Sequence, residues 1–353
     1  MKRSFQWLTL FLSLVLTFTL VLSSCTPGVE PETTDTETQA SEDNSGTEAA
    51  PDKNLNVRIM VLSGTTGFGM APLMDKAANG SSTLTYSFSV ENDAANITPA
   101  LLNGSVDIAA LPTNAAATLY AKKADAIQIL AVNTLGVLYV VTGEGVTVSS
   151  FADLAGKTVY CPAQNPTFIF SALCTKNGLT PGEDIIIDNT YAQPADLRTA
   201  LAAGQVDMAV LPEPMVTIAK SANPSLTVAL DLTAEWATAF GDAGALAQGC
   251  VVVRTAFAEE HPAEVAAFLE EYAASIAFAK ENPTEAGEMI QAQGVFTNGA
   301  VAAKALPGCN LCFLTGEEMA TKLDTFYQAL YGVAPASVGG ALPDRGLYYG
   351  LSK

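Results

Sequence analysis

Few side chains in this 353-residue chain have types and spacing suited to chemistry. The one histidine, His261, sits in Glu259-Glu260-His261-Pro262 and reads as a solvated residue at a helix start. That leaves no Ser/His/Asp triad, no histidine-ligated zinc and no histidine general base. Of the six cysteines, Cys309-x-x-Cys312 is the only close pair. No second such pair completes a zinc set. Leu306-Pro307-Gly308 before it and Phe313-Leu314 after it read as a packed connection, not as a redox turn. Neither a metal nor a cofactor is expected. The acid/base candidates that remain are Asp93, Glu213 and the thiol of Cys161. Glu213 stands between Pro212 and Pro214, either as a helix N-cap neighbour or as a half-buried carboxylate, which is uncommon. One further stretch suits binding. Gly64-Thr65-Thr66-Gly67-Phe68-Gly69-Met70 lies between a strand pattern and a helix pattern, so its backbone N–H groups can receive a polar group. It lacks the lysine of a Walker loop, and its glycine order is not the dinucleotide fingerprint. The alternative is a loop with three turn glycines and no ligand.

These residues sit at the ends of a repeated element. Ala100 to Thr113 (ALLNGSVDIAALPT) and Ala200 to Glu213 (ALAAGQVDMAVLPE) coincide at eight of fourteen positions. Each copy reads as a helix ended by Gly104 or Gly204, an apolar strand (Val106 to Leu111, Val206 to Leu211) and a proline that stops it. The strands lack alternation, as expected when both faces of a parallel sheet are covered. The pattern predicts an α/β fold with two lobes, each a mostly parallel sheet flanked by helices. Ligands of such sheets bind beyond the carboxyl ends of the strands. That places Thr113-Asn114 and Glu213-Pro214 at two facing edges. Asn133-Thr134 after the strand Ile127 to Val132, and Gln164-Asn165-Pro166-Thr167-Phe168 after Thr158 to Tyr160, occupy similar positions. Val137 to Thr142 and Gly249 to Arg254 are apolar runs placed to cross between the lobes. The predicted division is residues 55–142 with 253–353 for the first lobe and 143–252 for the second.

Residues 1–24 read as an export signal: Lys2 and Arg3, an apolar run from Phe5 to Leu22, then Ser23-Ser24-Cys25. Residues 25–54 form an acidic linker too polar to order itself, with a reach of about 30 Å. The net charge of −19 excludes nucleic acid and an anionic membrane surface as binding partners.

Leu-Ser-Ser-Cys resembles a bacterial lipobox, which implies lipidation of Cys25 and an extracytoplasmic, membrane-anchored protein. FADLAGKTV (from Phe151), ALAAGQVDMAVLPEPMV (from Ala200) and VVVRTAFAEEHPAEVAAFLEEYAASIAFAKENPTEA (from Val251) resemble the substrate-binding proteins of ABC importers in the nitrate, sulfonate, taurine and thiamine-precursor class. The resemblance spans Leu55 to about Tyr349. It implies a type II periplasmic-binding-protein-like fold that closes on a solute and delivers it to a permease and ATPase. It also implies ligand contacts from Gly64 to Met70, Thr113-Asn114, Thr134, Gln164, Asn165, Thr167, Phe168 and Glu213-Pro214. None of those loops holds a Lys or Arg. A sulfonate-like anion held by backbone N–H groups, a neutral, zwitterionic or cationic organic ligand, or a heteroaromatic stacked on Phe68, Phe168 or Trp236 therefore all stay open. An enzyme or a sensor module on the same fold are the alternative readings.

Overall fold

The computed structural model describes residues 50–241 and 244–351, so the apolar leader, Cys25 and most of the acidic linker lie outside the described residues. Apolar runs of three to eight residues form the strands, and helices connect most of them. The first sheet contains β1 (Asn56–Leu62), β2 (Thr85–Glu91), β3 (Ile108–Pro112) and β4 (Ile127–Thr134). The second contains β5 (Leu138–Thr142), β6 (Thr158–Tyr160), β7 (Ile186–Asp188), β8 (Met208–Pro212) and β9 (Thr227–Asp231). β10 (Gly249–Arg254) and β11 (Leu311–Leu314) return to the first sheet.

The strand orders are β11-β4-β10-β3-β1-β2 and β7-β6-β8-β5-β9. Reversed, the second order matches the first from β4 onward. β9 takes the place of β4, β5 that of β10, β8 that of β3, β6 that of β1 and β7 that of β2. In each sheet one inner strand runs against both of its neighbours, β10 between β3 and β4, and β5 between β8 and β9; the edge strand β11 is also antiparallel to β4. Each of these two inner strands is donated by the chain as it crosses from the other sheet. Residues 138–142 thus bond wholly within the second sheet and residues 249–254 wholly within the first.

The repeat occupies β3 and β8, the equivalent inner strands. Gly104 (φ 75°) and Gly204 (φ 68°) turn left-handed just past helices Ala94–Asn103 and Pro194–Ala202, where only glycine adopts that conformation cheaply. Ile108 to Leu111 and Met208 to Leu211 are buried, which explains their missing alternation. The copies diverge at their aspartates. Asp107 is buried and accepts from Arg58 Nε at 2.8 Å and Arg254 Nη2 at 2.8 Å. Asp207 is exposed.

One apolar cluster runs from Ile129 and Val132 in the first sheet, through Phe326 and Trp236, to Val140 and Phe170 on the second-sheet side. Helix Gly316–Val333 packs on helix Asn165–Lys176 and so joins the two sheets behind the crossings. Tyr348 in the C-terminal tail is buried, and Tyr349 N donates to Ile129 O at 3.0 Å. At the other end, Asp52 of the acidic linker donates its N–H to Glu264 Oε1 at 2.8 Å. Residues 306–314, expected as a packed connection, include the edge strand β11 at Leu311–Leu314. Among the described residues no helix is long and apolar enough to cross a membrane.

Candidate functional site

The register shows which sheet edges face one another. β10 begins where β3 and β4 end, since Gly249 pairs with both Pro112 and Thr134. β5 begins where β8 and β9 end, since Leu138 pairs with Pro212 and Tyr139 with Asp231. β1 is parallel to β3 and β6 is parallel to β8, so they end at those same edges. The crossing segments leave from these edges, so the chain draws the two edges together.

A dense hydrogen-bond set ties the crossings. Gln248 N donates to Thr134 O at 3.0 Å, and Thr113 N donates to Gln248 O at 3.1 Å. Val137 N donates to Gln248 Oε1 at 2.7 Å, and Glu213 N donates to Val137 O at 2.9 Å. Asn310 Nδ2 donates to Gly136 O at 2.6 Å, and Leu135 N donates to Asn310 O at 3.0 Å. Tyr139 Oη, on β5, donates to Gly308 O at 2.8 Å, a direct contact between the second sheet and the segment before β11. Gln248, Tyr139 and Asn310 were not singled out from sequence. The available signal was a lone polar Gln248 in Ala-Leu-Ala-Gln-Gly-Cys, just before a buried strand.

The residues expected to bind fall into two groups. Gly64, Thr65 and Thr66 are half-buried at the end of β1, and Asn114, Gln164, Asn165, Thr167, Phe168 and Glu213 are half-buried or exposed at the other strand ends. By contrast Phe68 and Met70 are fully buried in the first-sheet core, with Phe68 edge-on to Phe296 at 5.9 Å. Gly67 and Gly69 serve close packing: a Cβ on Gly67 would lie 2.2 Å from Leu62 O, and one on Gly69 2.8 Å from Ile276 Cγ1. Thr113 is buried and donates Oγ1 to Ala247 O at 2.6 Å, while Thr134 Oγ1 donates to Asn133 Oδ1 at 3.0 Å. The Thr113 side chain therefore braces a crossing, whereas that of Thr134 bonds within its own strand. Thr167 Oγ1 donates to Pro162 O at 2.8 Å and accepts from Asn189 Nδ2 at 2.7 Å, which fixes the loop after β6. Pro214 is buried. Trp236 is fully buried and stacked on Phe240 at 4.3 Å, so both Phe68 and Trp236 have their rings inside the core.

Two side-chain oxygens stand out. Asn114 Oδ1 and Asn165 Oδ1 are buried with no hydrogen-bond partner. Asn114 is the second residue of helix Thr113–Lys122, after β3, and Asn165 is the first of helix Asn165–Lys176, beyond β6. One such atom therefore belongs to each facing edge. Gln164, just before Asn165, holds φ at 65° with ψ at −127°, a region that glycine enters far more cheaply than glutamine.

Glu213 accepts from Thr217 N at 3.1 Å and from Thr217 Oγ1 at 3.0 Å. Burial pushes its carboxyl above the usual range, against the pull of the Thr217 bonds and of Lys220. Tyr139 is likewise raised, by burial first and then by Asp231 and Glu213. The enzymatic candidates fare differently. Cys161 is fully buried and its thiol is pushed up to about 12 by burial, which removes the thiolate a nucleophile needs. Asp93 is occupied as a helix cap, accepting from Ala95 N at 2.8 Å. Among the described residues no group of three or more His, Cys, Asp or Glu could hold a metal ion.

A family model described as NMT1/THI5 like matches residues 84–286. Solved structures with the same fold include an ABC transporter protein from Parabacteroides distasonis, 22% identical, covering 84% of this chain and 99% of that one, with a TM-score of 0.69. The periplasmic aliphatic sulphonate binding protein SsuA from Escherichia coli is 16% identical, with 84% and 93% covered and a TM-score of 0.66. The alkanesulfonate-binding SsuA from Xanthomonas axonopodis pv. citri, bound to MOPS, is 16% identical, with 85% and 97% covered and a TM-score of 0.55. No relative matches among curated proteins.

Proposed function

This chain belongs to the NMT1/THI5-like family, and from that premise we propose that it is the solute-binding component of an ABC importer. It holds one small organic solute between the two sheet edges and hands it to a membrane permease driven by an ATPase. Each sheet with its helices acts as a lobe, and Leu135 to Val137 and Ala245 to Gln248 act as the hinge. Lipidation of Cys25 keeps the protein outside the cytoplasm at the membrane surface, with the acidic linker as tether. The two sulfonate-binding proteins named above share the fold, which supports a small organic solute.

The observation that carries this reading is the pair of unpartnered oxygens, Asn114 Oδ1 and Asn165 Oδ1. A buried acceptor left without a donor costs about 1–3 kcal/mol, so two at facing edges favour a ligand that supplies donors. The strained Gln164 beside Asn165 points the same way, because backbone outliers concentrate where ligands are clamped. The test is a thermal-shift screen of the full chain in detergent against small organic solutes. A true ligand at a hundred times its Kd adds about 2.7 kcal/mol of stability. Asn114→Ala and Asn165→Ala should weaken that response without lowering the unliganded Tm. A screen in which no solute stabilises the protein would refute the reading.

A further inference from the structure

On the reading that the facing edges hold the solute, we infer that Asn189 and Thr167 are positioning residues for it. They latch the loop after β6 so that Gln164 keeps a backbone conformation suited to glycine, and the helix that begins at Asn165 is set before any solute arrives.

The two lobes supply the contrast. β1 and β6 occupy equivalent places in their sheets, and each leads through a short loop to a helix, Thr65–Phe68 and Asn165–Lys176. The residue before each helix makes the same kind of turn: Gly64 at φ 87° and ψ −159°, Gln164 at φ 65° and ψ −127°. The first lobe uses the residue that enters this region at little cost, and the second uses one whose Cβ makes it strained. Gln164 gains no local bond in exchange. Its side chain is exposed and, among the described residues, forms no hydrogen bond.

Such a turn persists only where its surroundings over-determine it. Here the loop is held on both sides. Cys161 N donates to Asp188 O at 2.9 Å and Ala163 N to Ala192 O at 3.1 Å, while Phe168 N donates to Gln164 O at 3.1 Å. Thr167 Oγ1 donates to Pro162 O at 2.8 Å, which closes the loop across Gln164. Asn189 Nδ2 then bridges both arms, donating to Cys161 O at 2.8 Å and to Thr167 Oγ1 at 2.7 Å. Asn189 follows β7 and is exposed, so its two bonds act on the loop and not on core packing. Asn165, whose Oδ1 is buried without a partner, comes immediately after the turn. A binding loop that is already ordered loses less freedom when a solute arrives, so the strain at Gln164 returns as affinity.

The experiment is a double-mutant cycle on the full chain in detergent, melted by calorimetry without solute. Gln164→Gly should raise the Tm by about 2–4 °C as the strain is relieved. Asn189→Ala should stay within about 2 °C of the parent, because the lost bonds and the relaxed turn offset one another. In the Asn189→Ala background, Gln164→Gly should then raise the Tm by less than half as much, since the latch no longer imposes the strain. Binding is read in parallel with ethanesulfonate, taurine and MOPS as probes. Both single variants and the double variant should bind about two- to tenfold more weakly, the size of re-ordering one side chain. Thr167→Val should reproduce Asn189→Ala, and Thr167→Ser, which restores the hydroxyl, should recover most of the affinity. Additive Tm shifts in the cycle, or a Gln164→Gly protein that melts at or below the parent, would overturn the latch and leave the solute-binding role standing. Parent-like affinity in Asn189→Ala would overturn the positioning role. A parent that binds none of these probes and no solute of the wider screen would overturn the solute-binding role, and this inference with it.

Discussion

Gln248 is where the hinge can be tested most directly. Its carboxamide oxygen is the acceptor for Val137 N at 2.7 Å, and its backbone bonds both Thr134 and Thr113. Gln248→Ala removes only the side-chain link. Val137 is 5% exposed, so its N–H then has little access to water. An unsatisfied buried donor costs about 1–3 kcal/mol. For a folded body of this size each kcal/mol shifts Tm by about 2–4 °C, so the loss is about 2–12 °C, read by calorimetry on the unliganded protein. Gln248→Glu keeps an acceptor at the same distance and should recover most of the loss. Gln205→Ala, at an exposed glutamine, is the control for composition. Because the lost bond joins the two crossing segments, the alanine variant should also bind solute more weakly, as the cleft walls lose their fixed relation. A Gln248→Ala protein that melts with the parent would refute the claim that this bond holds the crossings together.

Three further outcomes are expected. Burial pushes the Asp107 carboxyl up, but the hydrogen bonds from Arg58 and then Arg254 outweigh it and hold the group below its ordinary range. Its contribution is therefore present above the unfolded carboxylate value and lost as pH falls through the lowered one, so Asp107→Asn should cost up to about 3 kcal/mol at neutral pH and flatten the acid limb of a stability–pH curve. Cys161 and Cys174 are buried with thiols near 12, and burial raises Cys250, Cys309 and Cys312 as well, so none of these five should react with a thiol reagent at neutral pH until denaturant is added. Gly308→Ala would put a Cβ 3.2 Å from both Glu213 Cγ and Tyr139 Oη, tighter than ordinary contact, so it should lower the Tm of the unliganded protein as the contact between Gly308 and Tyr139 gives way, read by calorimetry.

The sequence exposes some of these features and hides others, for a physical reason. Helix, left-handed glycine, buried strand and proline are local signals, so both copies of the repeat and their strand edges are legible without a structure. The same motif cannot reveal that Asp107 is a buried ion-pair centre and Asp207 a solvated residue. That difference depends on Arg58 in β1 and Arg254 in β10, whereas the second sheet presents no arginine on β6 or β5. The aromatic residues mislead in a related way. Phe68 beside glycines and Trp236 on an amphipathic segment look available for stacking, but Phe296 and Phe240 cover them through contacts that spacing alone does not encode.

The asymmetry between the two copies reaches the cleft. After β3 the chain offers Thr113, spent on the hinge, and Asn114, whose oxygen has no partner. After β8 it offers Glu213, which accepts from Thr217 N and Thr217 Oγ1 and, among the described residues, forms no ion pair. Strand exchange makes this difference matter, because β10 and β5 bring Gly249 and Leu138 to those same strand ends and fix the two walls in register. On the proposed solute-binding role, a solute gripped there would meet a carboxamide on one wall and a carboxylate on the other. On that role, a ligand that satisfies both walls favours the closed state, and one that satisfies only one wall gives it less advantage over the open one.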